Sequence, residues 1–145
     1  MATEIQRQCE VIEECYEFML SYAARGLQGE GSGDAGKQLR EHLTRAAAAM
    51  RGLEQSCVEA MEQERLSPAE KYEAFFDVVR RDAEGAVAAV ELVLAQASIG
   101  SQLIDNLNAS IHLRALLADL FLMTEILDVR QTMAAAAENG ANGVR

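Results

Sequence analysis

Four polar side chains that could bind a ligand or move a proton recur at regular spacing late in the chain. Asp105, His112 and Asp119 are seven residues apart, and Asn108 precedes His112 by four residues. In a helix this spacing places all four on one face, with successive members of the seven-residue series about 10.5 Å apart. That separation is too large for one ion to bind two of them. The row therefore predicts a polar strip that borders a contact or faces solvent.

A metal or small-ligand site would need a second element. His42 is the only other histidine, and it would have to meet His112 in the fold. Imidazole nitrogen is a ligand that zinc prefers, so a ligand-binding or metal-binding bundle centred on His112 and His42 is the alternative hypothesis. Bundle metal sites normally use Glu-x-x-His pairs on two helices, and the sequence contains no such pair. We expect no metal and no cofactor.

Motifs for nucleophilic or phosphate chemistry are weak. Cys9, Cys15 and Cys57 lack Cys-x-x-Cys spacing and lie at or near apolar helix positions, where thiols are usually inert. Residues 31–37 match Gly-x-x-x-x-Gly-Lys, but Gln38 replaces the Ser or Thr of a P-loop and no β-strand precedes the motif. Because no constellation of catalytic groups is visible, we predict that the protein is not an enzyme and has no catalytic residues.

Four segments with helical periodicity must position these side chains. Their apolar residues alternate at spacings of four and three, the rhythm of helices that pack side by side. The predicted helices cover about 3–27, 37–64, 68–97 and 102–137, with a flexible glycine-rich loop at 28–36. Short connections favour antiparallel neighbours. The predicted fold is all-α, an up-down-up-down four-helix bundle with long helices.

Local signals define the ends of the domain and of one helix. Ser67, Pro68 and Glu70 have the spacing of a capping box with proline at the first helical position, which predicts the start of the third helix. Residues 139–145 contain asparagine and glycine without large apolar anchors before Val144. We therefore predict one helical domain at 1–138 and a flexible C-terminal tail at 139–145.

Composition excludes several classes of partner. The 23 acidic and 13 basic residues give a formal net charge of −10, and no cluster of Lys and Arg offers a surface for nucleic acid. No apolar run is long enough for a membrane span. The first residues lack the basic and apolar regions of a signal peptide. With an odd number of cysteines, we expect a reduced, cytoplasmic protein.

The fourth predicted helix carries two apolar stripes. The first comprises Ile104, Leu107, Ile111, Ala115, Ala118 and Leu122; the second comprises Leu113, Leu116, Leu117, Leu120, Phe121 and Leu127. A surface helix needs only one stripe, so the second either lies inside the chain or meets a partner. We hypothesise a non-enzymatic interaction module, of adaptor, chaperone-like or assembly-factor type.

The expected contact is a homodimer, with a protein client as a further possibility. Its predicted interface consists of Leu113, Leu116, Leu117, Leu120 and Leu127, bordered by His112, Asp105 and Asp119. A twofold axis would bring the same stripe of each copy together and cover it.

Overall fold

The computed structural model describes residues 2–30 and 33–143, with side chains through Gly140, and these residues form five α-helices and no β-strand. The helices are α1 (Glu4–Ala24), α2 (Ala35–Gln63), α3 (Ala69–Leu94), α4 (Ser101–Ala109) and α5 (Ile111–Gly143). The predicted all-α class is confirmed. Among the described residues, no helix combines the length and apolarity needed to cross a membrane.

The fourth predicted helix is two helices, because the chain breaks at Ser110. This residue has φ −59° and ψ 129°, outside the helical region. Its N–H donates to Leu107 O and its carbonyl accepts from Arg114 N, so it ends α4 and begins α5. Asn108 and Ser110 have side chains that compete for backbone hydrogen bonds, which makes this a weak point for a helix. α5 then continues to Gly143, past the predicted start of the tail at 139.

The capping box forms at α1 rather than at α3. Thr3 Oγ1 accepts from Gln6 N at 3.2 Å, and Gln6 Oε1 accepts from Thr3 N at 2.6 Å. α3 begins at Ala69 with Pro68 in the N-cap position, and no side chain caps it. The predicted box at Ser67 is therefore wrong. Proline at N-cap has no side-chain oxygen that could accept from the first turn of the helix.

The core is formed where α1, α2, α3 and α5 pack side by side, with α4 against α1. On α1 and α2, Glu14 pairs with Arg45 and the Phe18 ring stacks on His42, so the two helices run in opposite directions. A second apolar cluster near the start of α1 includes Ile5, Cys57, Phe76 and Leu127.

The segment after α1 is fixed to the connection between α3 and α4. Ser101 Oγ donates to Tyr22 O at 2.7 Å, and Ser101 N donates to Leu27 O at 2.8 Å. A Cβ at Gly100 would lie 2.8 Å from Gln28 O, so only glycine permits this approach. Arg40 pairs with Glu30 and also donates to Leu94 O, at the end of α3. Of the predicted flexible loop, residues 31–32 lie outside the described residues, and α2 already begins at Ala35.

Candidate interaction surface

Five of the six residues of the second apolar stripe are core in this structure, and the sixth, Phe121, is 50% exposed. The stripe's five leucines with predicted interface roles are 0–4% exposed within a single chain: Leu113, Leu116, Leu117, Leu120 and Leu127. Side chains buried in one chain have no surface to offer a second copy. The prediction that they form the contact surface is therefore corrected: they lie in the core, on the side of α5 that packs against α1 and α3. We name them the inner stripe.

The break at Ser110 explains why one sequence segment carries two stripes. Ile104 and Leu107 are buried in α4, and the first stripe would continue through Ile111 if the helix were unbroken. After the break, the buried positions resume at Leu113 and Leu116. Before residue 110 the first stripe faces the core, and after residue 110 the second stripe does. The rest of the first stripe is left on the outside.

The outward face of α5 is apolar and exposed. Ile111 is 75% exposed, Leu122 52%, Val129 46% and Met133 68%. Together with Ala115 and Ala118 they form what we name the outer stripe. The positions Ile111, Ala115, Ala118, Leu122, Glu125 and Val129 are spaced 4, 3, 4, 3 and 4, the pattern of a helix that packs along another helix. Val129 and Met133 were not part of the first stripe predicted from sequence, although the same spacing extends to Val129.

The polar row is divided by the break. Asp105 is exposed on α4 and Asn108 is buried there, with no hydrogen-bond partner for its side-chain amide among the described residues. His112 and Asp119 lie on α5 beside α3. A Cβ at Gly85 of α3 would lie 3.0 Å from His112 Nδ1, so glycine lets the imidazole lie close to that helix. His112 and Asp119 therefore flank the outer stripe, and Asp105 does not continue their row.

Asp119 meets Asp82 of α3 in a carboxyl pair. Burial, followed by the hydrogen bond and charge of Asp82, raises the pKa of Asp119 to about 7. When both groups are ionised, neither has a proton to donate, and Asp119 Oδ2 has no hydrogen-bond partner among the described residues. When the pair holds one proton, one carboxyl group donates to the other. Below about pH 7 the pair therefore favours the singly protonated form in the native state.

We expect the stability of the protein to fall as the pH rises from about 4 to about 7. The native state retains a proton on Asp119 that the unfolded chain has already lost in this range, so the free energy of unfolding decreases with pH. Partial access of water limits this contribution to about 1–2 kcal/mol. Urea unfolding at pH 5 and pH 8 measures it.

Asp119→Asn should remove that part of the pH dependence, since an amide can donate to Asp82 at any pH. The matched control is Asp105→Asn, at an exposed aspartate that lies outside the pair. An unchanged pH dependence in Asp119→Asn would contradict a proton shared with Asp82.

The two histidines lie in different helix contacts. His42 stacks on Phe18 between α1 and α2, with ring centroids 4.5 Å apart, whereas His112 lies against α3. Across the described residues, no group of three or more His, Cys, Asp or Glu side chains is placed to hold a metal ion. The geometry therefore gives no support to the alternative hypothesis of a site centred on His42 and His112.

All three cysteines are free thiols in the core. Burial is the main cause that raises the pKa of Cys9, Cys15 and Cys57 to about 12 in each case. Thiolate is the reactive form, so these groups are poor nucleophiles at neutral pH.

We expect iodoacetamide at pH 8 to leave the native protein unmodified over a period in which the denatured protein gains three adducts. The reason is that unfolding returns the thiols to water and to their ordinary pKa. Intact-protein mass spectrometry with and without guanidinium measures the modification. Rapid alkylation of the native protein at any cysteine would show that its helix opens readily.

Comparison of the chain with protein-family models, curated proteins and solved structures finds no match. The class that the structure itself defines is an all-α protein whose last helix has an exposed apolar face.

Proposed function

We propose that the protein is a non-enzymatic interaction module, of adaptor, chaperone-like or assembly-factor type, that self-associates through the outer stripe of α5. One observation carries the proposal: large apolar side chains remain exposed along this stripe, at the spacing of a packed helix. The stripe extends from Ile111 to Met133, about 33 Å along the helix axis. Glu125 borders the stripe between Leu122 and Val129. An exposed apolar face of this kind typically marks an interaction site.

Two further parts of the proposal are the topology of the helix bundle and the cellular compartment. We propose an up-down-up-down bundle of residues 1–138 in which α4 and α5 together occupy the fourth position. The opposed directions of α1 and α2 support it, as do the contacts of α5 with α3, where Asp119 meets Asp82 and His112 lies against Gly85. The three unpaired, buried thiols support a reducing compartment, the cytoplasm.

Charge favours an antiparallel pairing of two α5 helices. Arg114 and Glu125 lie on the same edge of the outer stripe, one in each half. With a twofold axis near residue 120, Ile111 of one copy meets Val129 of the other, and Arg114 approaches Glu125 twice. In a parallel pairing Arg114 of one copy and Glu125 of the other would be about 16 Å apart along the axis, too far to form an ion pair. Opposite charges at the edge fix the register of a helix pair.

The small residues at the centre allow the two helices to approach closely. Ala115 and Ala118 are followed by Leu122, and in the antiparallel register each Ala118 faces the Leu122 of the other copy. In this register Met133 lies beyond the paired segment, so the contact buries Ile111, Leu122 and Val129 of each copy. Burying the exposed part of each contributes roughly 1–2 kcal/mol, or about 6–12 kcal/mol for both copies together, against a cost of association of at least about 4 kcal/mol. We expect a dissociation constant on the order of micromolar.

A charge exchange tests this register. Arg114→Glu should weaken dimerisation about tenfold, since it replaces two attractive contacts with repulsive ones. Adding Glu125→Arg should restore the affinity, because the two partners are then simply interchanged. Sedimentation velocity over a dilution series measures both variants. A double variant as weak as Arg114→Glu alone would contradict the antiparallel arrangement.

A protein client is the second occupant that the outer stripe could accept. The same side chains would then meet a helix of different sequence, as in helix-in-groove recognition. A chain that stays monomeric in isolation but loses a co-purifying protein on Leu122→Glu would favour the client over the homodimer.

A further inference from the structure

A second apolar surface lies in the groove between α2 and α3, away from the outer stripe. Two adjoining cavities share Glu54 and Arg80 in their walls and form one continuous groove. Its apolar lining includes Met50, Cys57, Val58, Met61, Phe76, Ala83 and Val87. Val58 is half-exposed at the surface, whereas Cys57 and Phe76 close the floor. The apolar surface that the groove leaves accessible comes mainly from Val58, Met61 and Val87, because Met50, Cys57, Phe76 and Ala83 are only 3–8% exposed.

The rim of this groove is acidic. Six carboxylate side chains and two arginines line it. Both arginines are already paired: Arg51 with Glu91, and Arg80 with Asp77 and Glu84. The other three acidic residues are Glu54, Glu62 and Glu73, and none of them forms an ion pair within the described ranges. Uncompensated negative charge thus surrounds an apolar floor.

We propose that the groove between α2 and α3 binds an amphipathic helix of a partner protein, whose apolar face meets Val58, Met61 and Val87. Its Lys or Arg side chains point toward Glu54, Glu62 and Glu73. The accessible apolar side chains supply the contact area, and the unpaired carboxylates select positive charge. From Met50 to Glu62 the groove is about 18 Å long, enough for three turns of helix. This surface is separate from the outer stripe, and its occupancy does not depend on dimerisation.

The probe is a fluorescent 18-residue peptide made only of Leu and Lys, arranged as an amphipathic helix, and its matched form has Glu at every Lys. We expect the Lys peptide to bind and the Glu peptide to fail, with fluorescence anisotropy as the readout. The triple variant Glu54→Gln, Glu62→Gln, Glu73→Gln should bind the Lys peptide about tenfold more weakly, since it loses three surface ion pairs. Val58→Asp should also weaken binding.

The matched control changes the same number of charges elsewhere. Glu10→Gln, Glu17→Gln, Glu41→Gln alters exposed glutamates outside the groove and should leave binding nearly unchanged. Equal weakening in both triple variants would overturn the proposal, because attraction would then follow net charge alone. Equal binding of the two peptides, or no binding of the Lys peptide to the wild type, would also overturn it. Loss of binding in Leu122→Glu would place the peptide on α5 instead.

Discussion

We expect the double substitution Leu116→Glu with Leu120→Glu to abolish folding. Both side chains are fully buried in one chain, where α5 packs against the other helices. Removing a buried leucine typically costs about 2–5 kcal/mol, and an unpaired carboxylate in the same place adds a further desolvation cost. Together these costs are comparable with the whole stability of an ordinary domain, about 5–15 kcal/mol. Far-ultraviolet circular dichroism at 25 °C should show the loss of helix.

The matched control is the same change on the opposite face of the same helix. Ile111→Glu with Leu122→Glu introduces two carboxylates at exposed positions, so the helical signal and the cooperative melt should persist. If the Leu116 and Leu120 variant instead retains its helical signal and melts like the wild type, the inner stripe is not core.

The helices were predictable because their apolar residues are regularly spaced, and because glycine and proline mark where the helical segments end. The glycine-rich loop at 28–36 and Pro68 mark the ends of segments, and glycine and proline disfavour helix through the backbone itself. The break at Ser110 has no such signal. Asn108 and Ser110 only weaken a helix, and the packing of α4 on α1 and of α5 on α3 decides the outcome. The only sequence feature that indicates this break is the presence of two apolar stripes in one predicted helix.

The sequence indicates which helix carries the interaction surface, but not which side of that helix is exposed. Sequence periodicity shows that one segment carries apolar residues on two sides, but it does not say which side the chain itself covers. That depends on the direction in which α5 leaves Ser110. The carboxyl pair of Asp82 and Asp119, and the acidic groove, could not be predicted for a related reason: each joins residues of two helices whose relative register only the fold defines.

Ile111→Glu with Leu122→Glu is also expected to yield a folded monomer under conditions in which the wild type is a dimer. In the antiparallel pairing each copy contributes both positions, so four carboxylates would enter the contact, in place of the two Leu122 side chains near the axis and the two Ile111 side chains at the ends. Isolated charges are costly to bury, and in this pairing Arg114 is already engaged with Glu125. We expect dimerisation to weaken by at least about a hundredfold, which is about 2.7 kcal/mol.

Sedimentation equilibrium at a chain concentration of about 100 µM, well above a micromolar dissociation constant, tests the proposed self-association most directly. We expect twice the mass of one chain for the wild type. For Ile111→Glu with Leu122→Glu we expect the mass of one chain, with the helical content unchanged. A monomeric wild type at this concentration, or a variant that stays dimeric with its helices intact, would contradict self-association through the outer stripe.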